Sequence, residues 1–162
     1  MAEEFDSQMR EFVLTSICQH KDAFCIYMEQ HAHMELWGYP RLAKLFKKLA
    51  KSKTKHIEVL QERLEYFDVG SSDIPYNPIE WPRHDVVGML EADLRMEQAI
   101  DKTARKAKAV GVTLEVADPL TANMFTKIAR TCEEKSIEKL QAALSVISET
   151  SVKMFRQNAN LE

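Results

Sequence analysis

Residues 68–84 read DVGSSDIPYNPIEWPRH and hold three of the five prolines in this 162-residue chain. A structureless connection that long inside a compact domain needs a reason. A crossover running the length of a helical bundle supplies one, joining two helices that point the same way. The stretches on either side therefore decide the fold.

Upstream, Leu42, Phe46, Leu49, Lys53, His56, Leu60 and Leu64 recur at three- or four-residue spacing, predicting a second helix from Pro40 to Phe67. Before it, residues 3–36 contain neither proline nor glycine. There Val13, Ser16, His20, Phe24, Tyr27, His31 and Met34 mark the inward face of a long first helix. Trp37-Gly38-Tyr39-Pro40 combines a glycine stop with a proline start, so the first two helices form a tight antiparallel pair. Downstream, Val86, Leu90, Asp93, Glu97, Ile100, Ala104 and Ala107 predict a third helix from Asp85 to Ala109, ended by Val110-Gly111-Val112. A fourth starts at Asp118-Pro119 and runs to Glu149, with Thr126, Ala129, Glu133, Ser136, Leu140, Ala143 and Ile147 inward. A short fifth helix is expected near residues 151–158. The expected class is all-α: a four-helix bundle with short, long and short connections, occupying residues 1–162 as one domain.

Composition agrees. Four glycines leave little room for the turns of an all-β fold, and 45% apolar with 29% charged residues is ordinary for a globular chain. The net charge of −3 mixes both signs without a long single-sign block, which argues against a nucleic-acid surface or a polybasic membrane patch. The N-terminus, MAEEFDSQMREF, lacks a signal-peptide layout, and no apolar run reaches membrane-spanning length, so a cytoplasmic protein is expected. Cys18, Cys25 and Cys132 are odd in number and lack Cys-x-x-Cys spacing; they read as reduced packing residues, with a redox role for Cys18 and Cys25 the minor alternative.

On the apolar stripes, His20, Lys53, His56, Glu97 and Glu133 are interruptions near the helix midpoints, and antiparallel packing would bring them to one height. Di-iron bundles use two helices that each give a Glu and two that each give Glu-x-x-His, because carboxylates bridge hard iron ions and imidazole completes the coordination. Here the second helix reads Lys53-Thr54-Lys55-His56 and the fourth Glu133-Glu134-Lys135-Ser136, so each motif has lost one ligand.

With those residues in view, the chain resembles the bacterioferritins of the ferritin-like family over residues 17–147. The likeness rests on Tyr27 to Trp37-Gly38, Arg41-Leu42, His56 and Met89-Leu90…Asp93-Leu94…Glu97. It implies that the family's metal ligands fall on His20, Lys53, His56, Glu97, Glu133 and Ser136, of which only His56, Glu97 and Glu133 keep the family's residue type. Tyr27 matches a tyrosine beside the metals. The family's haem-ligating methionine falls on Thr54, so no haem is expected by that route.

Lys53 stands where a bridging carboxylate would serve both metals, and its ammonium would repel a dication. An internal ion-pair network of Lys53 with Glu97 and Glu133 is one reading, resembling the salt bridge that fills the lost oxidation site of the animal ferritin light chain. The alternative is a residual site for one iron or zinc ion on His20, His56 and Glu133. The plainest is that His20 and His56 are hydrogen-bonded core histidines. His31 and His33, at i,i+2, point to different faces and read as ordinary positions. Met28, Met34, Met89 and Met96 read as core filling. Lys47, Lys48, Lys51 and Lys55 read as a solvated helix face.

By resemblance, the leading expectation is an iron-storage cage subunit with an inactive ferroxidase centre, in a 24-subunit shell of one chain type or mixed with an active bacterioferritin subunit. The competing expectations are a ferroxidase using His20, His56, Glu97 and Glu133, and a small metal-binding or regulatory bundle that stores no iron.

Overall fold

The structure, a computed structural model, describes residues 2–70, 74–75, 77, 79–112 and 118–149. Helix α1 spans Ala2–Trp37, α2 Pro40–Tyr66 and α3 Val86–Gly111. A fourth rod is laid down in three consecutive pieces: α4 (Pro119–Thr131), a π-helical segment (Cys132–Ile137) and α5 (Glu138–Glu149). No strand occurs among the described residues. The expected helix at 151–158 lies outside them.

Each helix stops or starts where its sequence forces it to. Gly38 takes φ 77°, which lets the Tyr39 N–H reach back to the Met34 carbonyl at 2.9 Å and the Gly38 N–H to that of Glu35 at 3.3 Å. That closes α1 by the left-handed C-terminal motif that favours glycine, and Pro40 opens α2 at once. α2 closes similarly at Asp68, with φ 56° and a 3.0 Å bond from the Val69 N–H to the Leu64 carbonyl. Asp85 caps α3 by accepting from the Gly88 N–H at 3.0 Å. A Cβ at residue 88 would sit 2.6 Å from that carboxylate and 3.0 Å from Pro82 Cγ, so a larger residue would push the capping side chain aside. Asp118 caps α4 and also accepts from Arg63 of α2 at 2.8 Å, tying the end of one helix to the start of another.

α1 packs chiefly on α2, and α3 chiefly on the fourth rod, while α2 and α4 meet only sparsely. Between the two pairs lies one apolar core that includes Ile17, Ile26, Phe46, Leu60, Leu90, Ile100, Phe125 and Leu140, all essentially excluded from solvent. The crossover between α2 and α3 is pinned by buried Val69 and Trp81, with Ile74 packed against the core. This is the ferritin-like helical bundle expected from residues 68–84 and their flanks. No helix among the described residues is long and apolar enough to cross a membrane.

Of the three cysteines, Cys132 is buried and Cys18 partly so, but Cys25 is exposed, so it does not pack as expected. All three are free thiols. Residue 25 falls on the side of α1 away from both neighbouring helices, whereas Ala23, Ile26 and Tyr27 take the buried positions around it.

Candidate functional site

The inward positions of α1, α2, α3 and the π segment bring His20, Lys53, Glu97 and Ser136 to one depth, each fully buried. Lys53 Nζ donates to Glu97 Oε2 at 2.7 Å, with no solvent exposure on either side chain. The Tyr27 hydroxyl donates to the other oxygen of the same carboxylate, Oε1, at 2.6 Å. Glu97 is thus held on both oxygens, one by a cation and one by a phenol. Burial, with Glu97 close by, drives the Tyr27 hydroxyl well above its ordinary range, so it remains a donor at any physiological pH.

The histidines face the cation and are neutral. His20 Nδ1 lies 2.7 Å from the Ser16 carbonyl one turn earlier, which fixes the proton on Nδ1 and leaves Nε2 as a lone pair. Burial first, then the Lys53 charge, pulls its pKa well below the usual value. His56 is lowered to about 4 by burial and by Lys53, Lys135 and Lys55. The two rings meet edge to face with centroids 5.3 Å apart. Among the described residues, neither His20 Nε2 nor His56 Nδ1 has a hydrogen-bond partner.

Glu133 is displaced from the layer. Its side chain is 61% exposed and accepts from Arg105 Nη2 at 2.9 Å. The sequence spacing put residue 133 inward; instead the inward series runs Ala129, Cys132, Ser136, Leu140. The exchange falls at the start of the π segment at Cys132–Ile137, where the Cys132 thiol takes the inward place while Ala129, Ser136 and Leu140 keep theirs. A second carboxylate buried against Glu97 would also be costly, and the outward position pairs it with an arginine instead. The ion-pair network therefore consists of Lys53 and Glu97, without Glu133. Thr54, where the resemblance placed the family's haem ligand, is exposed and donates to the Lys51 carbonyl at 2.7 Å.

Two polar residues that spacing alone did not single out as site residues join the layer. Gln30 Nε2 donates to Asp93 Oδ1 at 2.7 Å, one turn from Tyr27 on α1 and one turn from Glu97 on α3. Both are buried. Burial pushes the Asp93 carboxyl up to about 8, with the Gln30 bond opposing and nearby Glu97 adding to the rise, so it is largely protonated at neutral pH. The i,i+4 relation of Asp93 to Glu97 was the available signal. His31 and His33 are accounted for by backbone partners. His31 Nδ1 bonds the Ala43 carbonyl at 2.7 Å, and His33 Nε2 bonds the Arg83 carbonyl at 2.6 Å among Trp37, Trp81 and His84.

This donor set does not fit a pair of metal ions. One carboxylate is already engaged by Lys53 and Tyr27, the second points away, and Ser136 offers a hydroxyl where imidazole is wanted. Among the described residues no three His, Cys, Asp or Glu side chains are grouped to hold a metal.

A helical bundle with a polar layer at mid-height and one long crossover is the arrangement of ferritin-like proteins. Residues 16–150 match the family described as Ferritin-like domain, and the chain belongs to that family. Among solved structures it is similar to the bacterioferritin of Rhodobacter capsulatus, with a TM-score of 0.84 and 19% identity over 93% of this chain and 92% of that one. That structure is described as having a metal-free dinuclear site and haem iron. Comparison with curated protein sequences gave no match.

Proposed function

We propose that this chain is an iron-storage subunit of a ferritin-type shell whose oxidation centre is closed by the Lys53–Glu97 ion pair, so that it holds iron oxidised elsewhere. The observation that carries this reading is the 2.7 Å contact between two fully buried charges at the place of the family's bridging carboxylate. A metal entering the layer would have to displace an ammonium from Glu97, its counter-charge, at a cost of several kcal/mol for the ion left unpaired. The neutral, cation-facing histidines add no negative charge to attract it. Light scattering combined with iron loading tests the reading. A large shell that retains iron after ferric mineral forms is expected; a monomer or dimer at micromolar concentration, or a shell that retains no iron, counts against it.

A second reading, favoured by the unpartnered His20 Nε2 and His56 Nδ1, is binding of a single Zn²⁺ or Fe²⁺ with Glu97 after Lys53 withdraws. Zinc calorimetry separates the two. Tight binding lost in His20→Ala supports the second reading, and weak binding indifferent to that change supports the first.

A further inference from the structure

α2 and α4 meet sparsely, and the seam between α2 and the fourth rod opens into two adjoining cavities of about 420 and 500 Å³. They share Lys55, His56 and Thr131, so they form one continuous groove. Lys48, Lys51, Lys55, Lys135 and Lys139 line the first cavity, and Lys127 extends the series into the second. No aspartate or glutamate lines either one. None of these six lysines forms an ion pair among the described residues. In a chain of net charge −3, so many unneutralised ammonium groups facing one another repel across the groove, and the low-dielectric walls focus their field into it.

We propose that this groove binds a chain of phosphoryl groups, a linear condensed inorganic phosphate. Three features select that chemistry. The cations stand on both walls, over about 10 Å from Lys48 to Lys55 and about 18 Å from Lys127 to Lys139 at ~1.5 Å per residue, so a string of charges can engage all of them and a single phosphate cannot. Lysine predominates, and its point charge and rotatable donors suit phosphoryl oxygens of any orientation, whereas planar two-pronged recognition calls for arginine. Finally, neither cavity is lined by phenylalanine, tyrosine or tryptophan, so the groove lacks the stacking platforms that single-stranded nucleic acids use. The aliphatic floor under the lysine-rich half offers little to an acyl chain, since Leu49 is only 2% exposed and Leu45 is partly buried, whereas the second half carries exposed Val59 and Leu120, which makes oleate the control that matters.

The groove is tested on the full-length protein by calorimetry with linear polyphosphate, orthophosphate, an oligodeoxythymidine and oleate at matched ionic strength. Polyphosphate is expected to bind at least about tenfold more tightly than each of the others, with log K falling against log salt by roughly 0.7 for each phosphate engaged. The charge-reversing variant Lys51→Glu/Lys135→Glu is expected to weaken polyphosphate by about tenfold or more, while Lys108→Glu, on α3 outside the groove, leaves it unchanged. No polyphosphate binding at low salt, equal loss in both variants, or tighter binding of the oligonucleotide or of oleate would each overturn the assignment.

Discussion

Replacing Lys53 by methionine, an unbranched side chain one atom shorter and without charge, probes the layer most sharply. In the native protein Glu97 is wholly excluded from water and held by Lys53 at 2.7 Å and Tyr27 at 2.6 Å. The variant leaves a buried carboxylate with the Tyr27 phenol and the Cys132 thiol but no cation, and breaking a buried pair in this way costs about 3–5 kcal/mol. For a chain of this size, about 2–4 °C of melting temperature accompanies each kcal/mol, so a fall on the order of 10 °C is expected at pH 7. Glu97→Gln should cost a comparable amount by stranding the ammonium. The double variant Lys53→Met/Glu97→Gln removes both charges and should lie within about 1–2 kcal/mol of the native protein. Denaturant unfolding of all four proteins in one assembly state then gives a coupling energy of at least about 2 kcal/mol. Single losses below about 1 kcal/mol that simply add in the double variant would show that the pair does not hold the layer together.

Acid should destabilise the protein. The His20 and His56 pKa values are depressed in the fold, so the unfolded chain binds more protons below its own value near 6.5, and stability falls as pH drops from about 6.5 towards 4. Asp93 acts in the opposite sense. Its folded pKa is raised to about 8, so the folded chain binds more protons above pH 4 and stability is lost as pH rises towards 8. Unfolding across pH 4–9 should therefore show a maximum near pH 6–7, and Asp93→Asn should turn the alkaline decline into a plateau; an unchanged decline would acquit Asp93. Glu133→Gln, at an exposed pair with Arg105, should change stability by less than about 0.5 kcal/mol and leave zinc affinity untouched, as calorimetry and melting would report.

The bundle was legible in the sequence because its signals are local and repeated. The apolar spacing of residues 42–64, the Gly38-Pro40 turn and the proline-rich stretch before α3 each fix one connection, and neighbouring signals agree. The layer was legible wherever a helix stays regular. His20, Lys53 and Glu97 lie where a period of 3.6 places them. Glu133 was misplaced because either Cys132 or Glu133 satisfies a three-or-four spacing between Ala129 and Ser136, and the turn, which is π-helical, buries the apolar thiol and leaves the carboxylate outside. Asp93 was placed inward by its spacing, but its pairing with Gln30 crosses from α1 to α3, and spacing within one helix cannot show it. The lysines of α2 read as a solvated face, and they are exposed, yet their gathering with Lys135 and Lys139 depends on how far α2 stands from the fourth rod.

Closure of the centre by Lys53 is tested most directly by stopped-flow oxidation of ferrous iron in air, with the native chain beside His20→Glu/Lys53→Glu/Ser136→His, which restores carboxylates and an imidazole to the layer. The native protein is expected to oxidise iron no faster than buffer, while the variant gains a rapid phase that saturates with added iron. A rapid, saturable phase in the native protein would contradict the closed centre.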